Sequence, residues 1–149
     1  MSEPKDMQRK RLNIILDTNI LVSFLISEKF KKFDRLLFSS EIQLVFSQEL
    51  FEELFEVIHR PKFKRYFMPD DVNILFRLLG HFASIVPVVS DVHICRDSKD
   101  NFLLALALDS QADFLVTGDL DLLSLKHIGR TEIITINQLP YKAGSKQKE

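Results

Sequence analysis

Along the chain, short unbroken apolar runs alternate with longer stretches whose apolar residues recur every three or four positions. The first kind reads as strands buried on both faces and the second as helices with one apolar stripe. Asn13-Ile14-Ile15-Leu16 is such a run, closed by Asp17, after which Asp17-Thr18-Asn19 turns the chain. Helical spacing follows over 20–27 and over 30–38, where Phe30, Phe33, Leu36 and Leu37 share a stripe. Residues 43–46 predict a second strand. Ser47 is placed to cap a helix over 48–59, with Glu49 near its positive end and Pro61 terminating it. Pro69-Asp70-Asp71 opens a helix to about Ala83 on which Val72, Leu75, Phe76 and Leu79 repeat. Residues 85–89 predict a third strand, and Pro87, with no N–H for the ladder, pushes it to a sheet edge. Asp97-Ser98-Lys99-Asp100 leads into a helix over 101–110 whose Ala105 and Ala107 allow close packing on a sheet. Residues 114–117 form a fourth strand, Gly118-Asp119 turns into a short leucine-rich helix, 132–136 form a fifth strand, and a frayed polar tail follows Tyr141.

Strands separated by helices predict an α/β fold with a central, mostly parallel five-stranded sheet covered on both faces in three layers. The expected organisation is one domain over 12–141, a polar extension over 1–11 and a polar tail over 142–149, which suits a chain of 149 residues. Ligands of such sheets bind outside the carboxyl ends of the strands, where the strand order reverses.

That rule draws attention to acids. Asp17 ends the first strand, Asp119 follows the fourth by one glycine, Asp100 opens the helix leading into the fourth, and Glu53 lies near the start of the helix after the second. Each has a structural alternative: Asp17, Asp97 and Asp100 as helix caps, Asp119 in a turn, Glu53 in solvent. Co-location distinguishes the readings, since caps need not gather at one end of a sheet. Carboxylates brought together repel unless some are protonated or a hard divalent cation such as Mg²⁺ or Mn²⁺ joins them.

The motifs Leu16-Asp17-Thr18-Asn19-Ile20-Leu21, Ser47 with Glu53-Leu54, Arg96-Asp97-Ser98-Lys99-Asp100-Asn101-Phe102 and Leu115-Val116-Thr117-Gly118-Asp119-Leu120-Asp121-Leu122-Leu123 together resemble the PIN domain family in order and spacing, over nearly the whole chain. They are most similar to the branch described as toxin components of toxin–antitoxin systems. The resemblance implies a three-layer PIN-like fold, a metal-binding quartet of Asp17, Glu53, Asp100 and Asp119, and Asp97 and Asp121 as secondary acids. It gives Thr18, Asn19 and Thr117 the task of orienting them. It further implies Mg²⁺- or Mn²⁺-dependent endoribonuclease activity leaving a 5′-phosphate and a 3′-hydroxyl, a small antitoxin as partner, and room for a homodimer. The Thr135-Ile136-Asn137 ending departs from the pattern, where relatives often carry a proline.

Composition narrows little: 46% hydrophobic and 28% charged residues with net charge −1 describe an ordinary globular chain. Basic residues cluster at Lys5, Arg9, Lys10 and Arg11 and at Arg60, Lys62, Lys64 and Arg65, either solvated surface or contacts for a polyanion. The second cluster, beside Tyr66, supplies the candidate RNA-binding residues. A lone cysteine, Cys95, excludes a disulfide framework and a thiolate metal site and reads as a structural thiol. With no apolar run of about 18 residues and no signal segment, a cytoplasmic location without membrane contact is expected. Rival readings are a histidine-based ribonuclease, although His59, His81, His93 and His127 share no spacing; a phosphoacceptor receiver domain, which would want paired acids after the first strand; and a catalytically weak PIN module binding RNA or protein as a scaffold.

Overall fold

The computed structural model describes residues 11–26 and 41–147. Strand β1 (Leu12–Leu16) is followed by helix α1 (Thr18–Leu25), β2 (Ile42–Phe46), α2 (Gln48–Ile58), α3 (Pro69–Phe82), β3 (Ala83–Ile85), α4 (Ser98–Ser110), β4 (Phe114–Val116), the short α5 (Leu120–Leu123), β5 (His127–Ile128), β6 (Thr131–Ile134) and α6 (Leu139–Gln147). The second apolar stripe predicted, over 30–38, and the basic residues Lys5, Arg9 and Lys10 lie outside the described residues.

The strands form a single mostly parallel sheet in the order β3-β2-β1-β4-β6-β5, flanked by helices. β1 is central because it is apolar on both faces: Leu12, Ile14, Ile15 and Leu16 are all buried, paired with Ile42–Leu44 on one side and Phe114–Val116 on the other. The chain adds β2 and β3 to one side of β1, then crosses to add β4 and β6 on the other. The strand order therefore reverses between β1 and β4, which opens a crevice at their carboxyl ends.

Local chemistry starts the helices where the sequence indicates. The Ser47 hydroxyl accepts from the Leu50 N–H at 3.1 Å to cap α2, and the Asp97 carboxylate accepts from the Lys99 N–H at 2.9 Å to cap α4. Pro69 occupies the first turn of α3, where its missing N–H costs nothing, and Asp71 accepts from the Met68 N–H at 3.3 Å.

Three expectations need correction. The sheet has six strands rather than five: β5 is only two residues long and pairs antiparallel with β6 through a hairpin turned at Gly129-Arg130. Two residues carry no periodic signal, and Gly129, with φ of 57°, is the one mark of the turn. The third strand is Ala83–Ile85 rather than 85–89, although it does stand at the sheet edge. The C-terminal stretch from Lys142, expected as a frayed polar tail, continues α6 through Gln147. Leu139 and Ala143, four apart, bury against the core, and Lys146 reaches the Asp113 carboxylate at 3.2 Å. Among the described residues no helix is long and apolar enough to cross a membrane.

Candidate metal centre

At the crevice, Thr117 stitches the ends of β1 and β4 together. Its backbone N–H donates to the Ile134 carbonyl, its buried hydroxyl donates to Asp17 Oδ2 at 2.8 Å, and the same oxygen accepts from the Asp119 N–H at 3.1 Å. Asp17 is also the cap of α1, its Oδ1 accepting from the Asn19 N–H at 3.4 Å, while its own N–H bonds the Val116 carbonyl. Asp119 caps α5 by accepting from the N–H groups of Asp121 and Leu122. Asp17 is thus a cap, as its structural alternative has it, and Asp119, expected in a turn, is a cap as well. This does not compete with the functional reading, because a carboxylate oxygen has more than one lone pair and a cap uses only one of the acid's acceptor positions.

The remaining acids come from helices. Glu53 is held from two sides, by the buried Thr18 hydroxyl donating to Oε2 at 3.2 Å and by Lys99 Nζ 3.7 Å from Oε1. Asp100, in the first turn of α4, is only 6% exposed. Asp17, Glu53, Asp97, Asp100 and Asp119 line one cleft of about 440 Å³ together with Asn19, Arg60 and Lys99. The primary quartet predicted from sequence is therefore gathered at one place, with Asp97 beside it.

Asp121, expected to be secondary, stands closer than that rank suggests. Carboxylate oxygens of Asp100, Asp119 and Asp121 lie within 4.8 Å of one another, and Asp121 is also 3.6 Å from the exposed Arg96 guanidinium. Asp17 and Glu53 share the cleft without belonging to that tightest group.

Burial and the neighbouring charges of Asp119, Asp97 and Asp17 push the Asp100 carboxyl up to about 6. Its Oδ2 is buried without a hydrogen-bond partner. A buried carboxylate oxygen left unsatisfied among like charges is unfavourable unless something positive meets it. An all-oxygen, all-anionic donor set of this kind fits a hard divalent cation such as Mg²⁺ or Mn²⁺, which Asp100 and Asp119, with Asp17 or Asp121, would hold. Cys95 does not line the acidic cleft, and burial and the charges of Asp100, Asp121, Asp119 and Asp97 push its thiol up, away from the thiolate. None of the four histidines lines the acidic cleft.

Of the basic residues singled out, Arg60 lines the cleft and pairs with Glu56 at 3.3 Å. Lys62 lies over the Phe63 ring, Arg65 over the Tyr66 ring, and Lys64 borders a separate, mainly apolar cavity. Lys99 was not assigned a role from sequence, and its position between Asp97 and Asp100 in one helical turn is the signal that places it at the acids.

Comparison with known proteins bears on the family and the fold. A family model described as PIN domain matches residues 13–121. An uncharacterised protein of Methanocaldococcus jannaschii, MJ1680, is 27% identical over 141 residues, covering 91% of this chain and 88% of its own. The crystal structure of PAE2754 from Pyrobaculum aerophilum is similar in fold, with a TM-score of 0.57 over 90% of each chain at 14% identity.

Proposed function

The chain belongs to the PIN domain family, whose members are generally metal-dependent nucleases, and from that membership we propose that it is a Mg²⁺- or Mn²⁺-dependent endoribonuclease, acting in the cytoplasm as the toxin of a toxin–antitoxin pair. The observation that supports this most is the convergence of Asp17, Glu53, Asp100 and Asp119 on one cleft at the switch point of the sheet. The buried, unsatisfied Asp100 Oδ2 argues against a degenerate scaffold, because a chain that no longer binds metal gains stability by losing that acid.

A bound divalent ion would activate a water, polarise the phosphoryl group and balance charge on the leaving oxygen. Asp100 and Asp119, with Asp17 or Asp121, would hold it. Thr117 fixes the rotamer of Asp17 and, through the Asp119 N–H, the start of α5, so two acids that follow different strands keep one spacing. Thr18 and Lys99 orient Glu53 from opposite oxygens, leaving its carboxylate across the cleft to accept a proton or hold a water. Arg60 and Lys99 are the cations lining an otherwise acidic cleft, and on this reading they would meet phosphates of the RNA.

The test is incubation of purified protein with single-stranded RNA and Mn²⁺ or Mg²⁺, with and without EDTA. Metal-dependent cleavage by the wild type that is lost in Asp17→Asn and Asp100→Asn is expected. Absence of cleavage, or full activity of both variants, defeats the nuclease reading. The toxin role is separate: growth arrest on expression, relieved by a co-encoded small protein, is its expected signature.

A further inference from the structure

Next to the acidic cleft lies a second cavity of about 300 Å³, and the two share Glu53, Lys99 and Leu103 as walls. One side of the second cavity is Phe102, 55% exposed on a helix whose following residues Leu103–Ala107 are all buried. An aromatic ring left out of the core on such a helix is a free stacking surface. Lys99, one turn earlier on the same face, stands at the boundary between the two cavities. The opposite wall comes from α2, where Glu49, Glu52 and Glu56 join Glu53. Glu49 and Glu52 have no hydrogen-bond or ion-pair partner among the described residues.

Resting on the nuclease reading above, we propose that this cavity is a subsite for one unstacked nucleobase beside the bond that is cut, with Phe102 as its stacking platform and Lys99 on the adjoining phosphate. The chemistry sorts the parts of a nucleotide. The glutamate wall repels a phosphate, so the sugar-phosphate chain stays at the Lys99 boundary and only the base enters. Base faces stack on an aromatic ring, as is general for single-stranded RNA recognition. Carboxylates accept hydrogen bonds and donate none, so the wall favours bases bearing an exocyclic amino group, adenine, cytosine and guanine, over uracil, whose single N3–H is flanked by two carbonyl oxygens that carboxylates repel.

Two measurements test this. In the first, fluorescein-labelled RNA oligomers of adenine, cytosine, uracil or abasic residues bind the Asp17→Asn protein with Mg²⁺ present, followed by anisotropy. The adenine and cytosine oligomers should bind at least about tenfold more tightly than the abasic one, with uracil weaker than both. Adding Phe102→Ala should remove most of that advantage, and Phe102→Trp should restore it. In the second, kcat/KM is measured on a cleaved oligomer carrying an abasic residue at each position near the cut. At one position the abasic change and Phe102→Ala should each cost about tenfold and together no more than either alone, whereas Lys99→Gln should weaken all bases alike. Equal binding by Phe102→Ala and its parent, or fully additive losses at every position, overturns the proposal. If the wild type cuts no RNA but the first measurement succeeds, the nuclease reading fails and the base subsite stands; cleavage without base discrimination sinks the subsite alone.

Discussion

Two buried aspartates at opposite edges of the same sheet have been treated in opposite ways. Asp113, just before β4 at the amino edge, is 1% exposed and fully engaged: it accepts from the Asn13 N–H at 2.8 Å and faces Arg130 at 2.9 Å and Lys146 at 3.2 Å. Asp100, at the carboxyl edge, is 6% exposed, has an oxygen with no partner, and is surrounded by other acids. Burying a carboxylate is costly in both places, and only the first is compensated within the described chain. The contrast separates two uses of burial: Asp113 ties β1, the β5–β6 hairpin and α6 together, whereas Asp100 keeps an oxygen that, on the proposed function, a divalent ion would meet.

Removing each acid should therefore have opposite consequences, the largest on activity. Asp100→Asn is expected to lower kcat/KM for RNA by about a thousandfold, equivalent to about 4 kcal/mol of barrier, while Asp113→Asn, far from the cleft, should keep the cleavage pattern wherever the protein is folded. Substrate cleavage by both variants at a temperature well below their unfolding decides this; comparable losses would erase the distinction.

For stability the ranking inverts. Asp113→Ala leaves the Asn13 N–H and two cationic side chains without their acceptor and is expected to cost about 2–4 kcal/mol, with amide exchange rising first in α6. Denaturant unfolding with the exchange readout checks it. Metal should act only at the other edge: at about 100 times its Kd a bound ion adds roughly 2.7 kcal/mol, so Mn²⁺ should raise the Tm of wild type and of Asp113→Asn, and of Asp100→Asn far less.

The smallest effect carries the sharpest sign. In EDTA, Asp100→Asn should stabilise the protein by about 1–2 kcal/mol, since it deletes a charge buried among charges. The folded carboxyl is raised to about 6 from 3.8, so between those values the native state holds more protons than the unfolded one. This group's contribution therefore favours the native state at acid pH and declines as pH rises from about 4 to 6, by at most about 3 kcal/mol. Wild type should show that decline in metal-free unfolding experiments, and Asp100→Asn should lack it. Parallel pH profiles for the two would show that Asp100 is not the strained acid.

Much of this could be read along the chain because it depends on neighbours a few residues away. β1 and β2 are short, mainly apolar runs, and Ser47 and Asp97 announce helix starts. These are properties of backbone hydrogen bonding and apolar period, which act locally. The four acids were found by their place after strands or at helix starts, a consequence of the parallel topology. What could not be read is whatever depends on pairs distant in sequence. Asp17 meets Thr117, Glu53 meets Lys99, and Lys146 crosses to Asp113, which makes a helix of a stretch whose composition suggests a tail. Nor does the chain say which carboxylates end nearest each other: Asp121 joins Asp100 and Asp119 within 4.8 Å because folding brings acids from the first turns of α4 and α5 together, a matter of packing rather than spacing. Local pattern determined most of the elements, β5 and α6 apart, and the end of the sheet at which the acids gather. Burial and charge proximity, set only when those elements pack, decided that Asp100 is the acid left unsatisfied and that Asp113 is not.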